Sequence, residues 1–227
     1  MGEHGKRAVA LLSGGLDSCV AAAWAACRYE LWLLHADYGQ RTARREGAAF
    51  HAIADALHVG RERRLQIQIP VLKQVGGSSL TDAARAVETG EPDPGRVPGT
   101  YVPFRNTHLL AAAVSWAEVL GAVRVVLGCM EQDAGGYPDC RAGYIEAFNR
   151  LVEQGTRPAS GIQVEAPLME LDKAGVVRLG LQLQAPLQHT WSCYTEERRA
   201  CGVCESCRLR LRGFQAADAP DPIRYVR

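Results

Sequence analysis

Near its C-terminus the chain reads HTWSCYTEERRACGVCESCRLRLR, with seven residues between Cys193 and Cys201 and then C-x-x-C-x-x-C through Cys204 and Cys207. Four thiolates at that spacing can close a tetrahedron around one zinc ion, a structural site that holds a loop-rich tail together. The triplet also resembles an iron–sulfur run, although position 211, where the bacterial ferredoxin spacing has its next cysteine, is Leu211. An iron–sulfur cluster and a redox C-x-x-C stay open as alternatives, and His189 is left out because four cysteines already complete the set. A second chemical stretch is VALLSGGLDSCVAAAWA, Val9 to Ala25. Here Ser13, Gly14, Gly15, Asp17 and Ser18 would set unpaired backbone N–H groups and two hydroxyls at a helix N-terminus, where the dipole favours an anion such as phosphate. The plainer alternative is a glycine turn capped by Asp17 or Ser18. The loop has neither the lysine of a Walker A sequence nor G-x-G-x-x-G, so it is a different kind of phosphate loop.

The elements that position these groups alternate along the chain. Arg7 to Leu12 (RAVALL) reads as a buried strand, Cys19 to Cys27 as an alanine-rich helix and Leu31 to Ala36 as a second strand. A helix follows with Phe50, Ile53, Ala54 and Leu57 on one face. Strands at Leu65–Ile69 and Val123–Cys129 flank a helix at Thr107–Leu120; an amphipathic helix covers Tyr144–Glu153, and another covers Val176–Leu183 with Asp172 as its N-cap. This order predicts an α/β fold with a parallel sheet over residues 1–186 and a four-cysteine tail over 187–227. Such sheets bind ligands beyond the carboxyl ends of their strands. The oddest polar segments all fall there: SGGLDS, DYGQR (Asp37 to Arg41), a Gly/Pro/Ser/Thr-rich loop from Gln74 to Asn106, and MEQDAGGYPDCR (Met130 to Arg141). The long loop reads as a lid or binding loop, with a tolerated insertion as the alternative.

Composition narrows the function further. The 227 residues suit one α/β domain with an appendage, and 26 basic against 25 acidic residues argue against a large surface for nucleic acid or anionic membrane. The N-terminus MGEHGKRAVALLSGG has no secretory h-region, position 6 is Lys6 rather than the hydroxyl residue of a myristoylation signal, and no apolar run reaches membrane-spanning length. The expectation is a cytoplasmic protein whose eight cysteines are reduced thiols, some of them ligands.

Together, SGGLDS, DYGQR, SSLT (Ser78 to Thr81), YVPFRN (Tyr101 to Asn106), GYPDCR (Gly136 to Arg141), EAPLMELDKA (Glu165 to Ala174) and the four terminal cysteines resemble, in this order, the 7-cyano-7-deazaguanine synthase family. The resemblance runs from Ala8 to Arg212. It implies a Rossmann-like fold of the adenine nucleotide alpha hydrolase type, structural Zn2+ on Cys193, Cys201, Cys204 and Cys207, Mg2+ with ATP, and a homodimer. The implied reaction turns 7-carboxy-7-deazaguanine, ammonia and ATP into a nitrile. ATP would lie along Leu12, Ser13, Gly14, Gly15, Leu16, Asp17, Ser18, Cys19, Val20, Ala21 and Ala22. The deazapurine acid would be bound by Gln40, Arg105, Asn106, Tyr137, Asp139, Cys140 and Arg141. Two positions depart from the pattern: Phe104 stands where the family often has a small residue, and Gly135 where it often has Ser.

Each residue type suits its role. Arginine forks match carboxylates and phosphates, and an aspartate accepts hydrogen bonds from purine-like N–H groups. Asp17 would orient the loop or hold Mg2+, a hard cation that prefers oxygen ligands. Lysine is scarce, with only Lys6, Lys73 and Lys173 among the basic residues. Lys173 falls in a first helical turn, where a cation opposes the dipole unless it reaches an anion; contact with ATP phosphates and a solvated place beside Asp172 are its two readings. Asp17, Lys173 and Arg105 are thus the candidate catalytic residues. Two rival functions remain: a sulfur-transferring or tRNA-modifying ATP pyrophosphatase with Cys201 or Cys204 as carrier, and a nucleotide-binding regulatory module.

Overall fold

The computed structural model describes residues 5–89, 96–131 and 137–226. Five parallel strands form one sheet in the order β3-β2-β1-β4-β5. They are β1 (Arg7–Leu11), β2 (Glu30–Asp37), β3 (Arg64–Gln68), β4 (Arg124–Val126) and β5 (Gln163–Glu165). The helices are α1 (Leu16–Ala26), α2 (Ala43–Ala56), α3 (Val71–Val75), α4 (Arg105–Leu120), α5 (Ala142–Gly155), α6 (Lys173–Gln182) and α7 (Glu205–Ala216). The α/β, Rossmann-like class expected from the alternating pattern is the one observed.

The central strand shows why both faces are covered. Ala8 and Ala10 of β1 pack into a core with Val20, Phe50 and Ile53 from α1 and α2, whereas Val9 and Leu11 point into the opposite core with Leu110, Phe148 and Val152 from α4 and α5. Alternation along a strand buried on both sides writes a continuous apolar run, as RAVALL does. The chain therefore winds one way from β1 and the other way from β4, and the crevice between these two neighbours opens at their carboxyl ends.

Helix α1 begins at Leu16, three residues before the expected start at Cys19, because Asp17 and Ser18 already occupy its first turn. The N-cap expected at Asp172 is present: its Oδ1 accepts the Gly175 N–H at 2.6 Å. Strand β5 and helix α7 go beyond what the sequence suggests. β5 has only three residues, with Val164 alone facing the core. In α7 the buried face is Cys207, Arg210, Gly213 and Phe214, a helical spacing carried by residue types that do not read as apolar. The tail is consequently less loop-rich than expected, and Cys193, Cys204, Cys207 and Phe214 sit in the same core as α1 and α2.

Candidate active site

The loop after β1 is tight and internally bonded. Ser13 Oγ lies 3.0 Å from Ser18 Oγ and accepts the Gly15 N–H at 3.2 Å. Gly14 has φ of +94°, and a Cβ there would lie 2.7 Å from the Glu46 carbonyl oxygen, so this position tolerates glycine alone. Its carbonyl accepts the Trp191 N–H at 2.8 Å, which ties the loop to the start of the cysteine tail. Gly128, just after β4, is equally constrained: a Cβ would come within 2.8 Å of the backbone of Asp17 and Ser18. Bringing two strand exits this close is what forms the crevice.

A cavity of about 250 Å3 occupies it. Leu12, Ser13, Gly15, Leu16, Asp17 and Ser18 line it from the phosphate-type loop, and Gln40, Arg105, Asn106, Tyr137 and Cys140 from the other three rim segments. Gly14 and the helical residues Cys19, Val20, Ala21 and Ala22 support this wall rather than line it; Cys19 is fully buried, and burial pushes its thiol up to about 12. Both Asp17 carboxylate oxygens accept from Lys173 Nζ at 3.0 Å. Lys173 therefore does not stand in solvent beside Asp172. It reaches across to the loop, under a close crossing with α7 in which a Cβ at Gly213 would lie 2.5 Å from Lys173 Cγ.

Arg105 donates to the Tyr38 hydroxyl at 3.2 Å, while its Nε is buried with no hydrogen-bond partner among the described residues. A guanidinium with one buried, unmet donor on a cavity wall is suited to an anionic guest. Asn106 has a different task. Its backbone N–H donates to Asp139 Oδ2 at 2.9 Å, and its Nδ2 donates to the Asp139 carbonyl at 3.0 Å and to Cys140 Sγ at 3.4 Å. Asp139, buried behind the wall, thus fastens the start of α4, and the exposed Arg141 is also away from the cavity. Gln40 is pinned within its own loop, accepting from Tyr38 N–H at 2.9 Å and donating to Glu46 at 3.0 Å. Tyr137 shares a 2.7 Å hydrogen bond with Thr100, and burial pushes its hydroxyl up to about 12. Burial holds Tyr194, hydrogen-bonded to Tyr137, well above the usual phenol range, so both rings keep their protons at neutral pH.

The long loop is held over the cavity by Arg41, whose guanidinium donates to the carbonyls of Ser79 at 2.6 Å, Asp82 at 3.0 Å, Ala83 and Arg85. Phe104, the first departure from the family pattern, has φ of +59° and a side chain that is 57 % exposed, outside the cavity lining. A left-handed backbone explains why a small residue is favoured there. Gly135 lies outside the described residues.

In the tail, one sulfur from each of Cys193, Cys201, Cys204 and Cys207 lies within 4.8 Å of the others. Metal–sulfur bonds of about 2.3 Å give a tetrahedron with edges of about 3.8 Å. Cys201 and Cys207 match that edge at 3.9 Å. Cys193 Sγ accepts the N–H groups of Glu196 and Cys201, each at 3.3 Å, and hydrogen bonds from Cys204 and Cys207 hold its thiol well below the ordinary range. The group can hold one metal ion. Its cysteines alternate with cavity residues: Ser192 and Tyr194 flank Cys193, and Ser206 precedes Cys207.

The sequence-based reading missed Gly128, Gly213, Trp191 and Tyr194. The glycines carry no local signal because their constraint is a backbone or side chain far away in sequence; Trp191 and Tyr194 could have been found from their place beside the first metal ligand.

The family model for queuosine biosynthesis protein QueC matches residues 7–218. The 7-cyano-7-deazaguanine synthase of Acidobacterium capsulatum is 53 % identical over 225 residues, which covers 97 % of each chain. That of Koribacter versatilis is 52 % identical over 229 residues, covering 99 % of this chain and 95 % of its own, and that of Chloroherpeton thalassium is 49 % identical over 220 residues, covering 96 % of each. With a match running from the first strand into the tail and about half of all residues shared with full-length relatives, the chain belongs to the queuosine biosynthesis protein QueC family.

Proposed function

We propose that this protein is an ATP-dependent carbon–nitrogen ligase that converts 7-carboxy-7-deazaguanine and ammonia to 7-cyano-7-deazaguanine. The observation that carries the reading is one cavity with a hydroxyl- and N–H-rich loop at one end and the partly unmet Arg105 guanidinium on its wall. An anionic acid and a triphosphate repel one another in water; here each meets its own donors, and catalysis is largely positioning and charge stabilisation.

The carboxylate attacks the α-phosphorus of ATP and pyrophosphate leaves, which gives an acyl adenylate. Ser13, Ser18 and the α1 N-terminus receive the leaving group, and Lys173 exchanges part of its bond to Asp17 for phosphate oxygens. Asp17, partly released in that exchange, would hold Mg2+, which would supply charge neutralisation on the phosphates. Arg105 holds the carboxyl end, and Tyr137 and Tyr194 flank the ring. Asn106, Gln40 and Cys140 shape the wall, while Asp139 acts through Asn106. Ammonia adds to the acyl carbon, a proton is lost and AMP leaves as the amide forms. The amide oxygen then attacks a second ATP; loss of that AMP and of the remaining N–H protons leaves the nitrile, so both carboxyl oxygens end in AMP.

The four cysteines would hold zinc, since thiolates clustered around a single centre are the donor set it prefers. Sulfur transfer through Cys201 or Cys204 would require a ligand to leave this group, and Cys204 is fully buried. No described helix is long and apolar enough to cross a membrane. A cytoplasmic homodimer acting on small molecules, with no nucleic-acid or membrane partner, completes the proposal. Mass spectrometry of a reaction with 18O-labelled acid, ammonium and ATP tests it: two labelled AMP per nitrile are expected, and label in inorganic phosphate, or an amide that the enzyme leaves unconverted, overturns the repeated adenylation.

A further inference from the structure

A second cavity of about 90 Å3 adjoins the first. The two share Leu16, Asp17, Tyr137, Ser192, Tyr194 and Ser206 as wall residues, and Lys173, Glu205, Leu209 and Arg210 complete the smaller one. The smaller cavity has room for a few molecules the size of water and about a third of the space of the first. Its charges are unevenly matched. Lys173 is held by both oxygens of Asp17 at 3.0 Å, and Arg210 by Asp221 at 2.9 Å. Among the described residues Glu205 is in no ion pair; its hydrogen bond is from Thr100 Oγ1 at 3.5 Å. With Asp221 behind Arg210 counted, three carboxylates meet two cations, and Glu205 is the one left over, outweighing the roughly half charge of the α7 N-terminus where it stands.

We infer that this cavity is the ammonium site of the enzyme, with the Glu205 carboxylate and the hydroxyls of Ser192, Ser206 and Tyr194 accepting from the ion. This rests on the synthase reading and adds where the nitrogen waits. The ion gives up one proton to water as it leaves the site, and the resulting ammonia forms the carbon–nitrogen bond and displaces AMP as given above. Ammonium has four N–H donors and no acceptor, so a small space walled by a carboxylate and hydroxyls satisfies it where an apolar one would not. Leu209, which lines the small cavity and not the large one, sets the room for substituents on that nitrogen.

The test measures AMP formation by the full-length, metal-replete protein against ammonium chloride, with potassium chloride holding ionic strength. Glu205→Gln should raise the ammonium KM about tenfold, the loss expected for one charged hydrogen bond, and Glu205→Asp should restore part of it. Leu209→Trp, which fills the space, should raise it further, while Leu209→Ala should admit methylamine. That amine stops at the N-methyl amide, since a nitrile requires loss of both amide protons. Acid-dependent exchange of pyrophosphate into ATP needs no ammonium and separates the two readings. Absence of that exchange in the unaltered protein sinks the synthase assignment itself. Normal exchange together with an unchanged ammonium KM in Glu205→Gln and Leu209→Trp sinks the ammonium site alone, and the two variants act on different wall atoms, so misfolding of one leaves the other to decide.

Discussion

On one side of the cavity the phosphate-type loop hangs between β1 and α1, where Ala8, Ala10, Val20, Ala22 and Ala25 are almost completely buried. On the other side Trp191, Ser192 and Tyr194 belong to a stretch with neither strand nor helix until Glu205. The first wall is held by apolar packing on both faces of a sheet. The second packs on the edge of the same core but is also held by four sulfurs around a common centre and by an ion pair, Arg210 with Asp221, in which the arginine is 1 % exposed. Tyr225 adds a 2.6 Å hydrogen bond to the same carboxylate. A wall built on packing degrades gradually when atoms are removed; a wall built on charge fails when one partner goes, because the other is left buried and uncompensated.

The strongest way to break this contrast is to strip the cysteine group of its proposed metal. Structural zinc contributes on the order of 10–16 kcal/mol in small zinc-binding folds, so chelation or Cys204→Ser should expose the backbone of residues 190–226 to hydrogen exchange while β1, β2 and β4 stay protected. Nucleotide binding should be lost with it, since Trp191 bonds Gly14. Equal loss of protection in the sheet would show that the two walls are one cooperative unit. Next in size, Asp221→Ala should cost about 3–5 kcal/mol in chemical denaturation, the cost of stranding a buried charge. A value under about 1 kcal/mol, as found for exposed pairs, would show that Arg210 finds other partners. On the sheet side, Asp17→Ala should lower AMP formation about 100-fold and, because it strands the partly exposed Lys173, cost less stability than Asp221→Ala, while Ser13→Ala lowers the rate somewhat less with the fold intact. Wild-type turnover in both would reduce the loop to a turn. The smallest effect sharpens the picture of the rim: Phe104→Gly removes a left-handed aromatic and should stabilise the fold by about 0.5 kcal/mol, net of the entropy that glycine adds to the unfolded chain. Destabilisation instead would assign real worth to the Phe104–His108 ring contact.

The same contrast explains what the sequence reveals. RAVALL, the alanine run of α1 and the four rim loops are legible because apolar periodicity and glycine turns are local signals. Cys193, Cys201, Cys204 and Cys207 are legible because metal chemistry imposes spacing. Arg210 and Asp221 are not: a buried ion pair looks, one residue at a time, like two surface charges. Asp139 shows a subtler limit. Its residue type fits a base-reading acceptor, but only Oδ1 stays unmet among the described residues, since Oδ2 is taken by the Asn106 N–H, a partner 33 positions away that no local pattern announces. Gly128 is similar, since its constraint is the backbone of Asp17.

The tie between Arg210 and Asp221, with Tyr225 behind it, also bears on how the protein is made. Ribosomes release a chain from its N-terminus onward, at roughly 5–20 residues per second. The sheet and the loop around Gly14 can assemble while the tail is still being synthesised. Arg210, however, meets its counter-charge only when Asp221 emerges, and Tyr225 must follow before the Ala200 bridge forms. An interrupted chain would therefore carry a glycine loop without its facing wall: it could fold much of its core and still lack half of the candidate site.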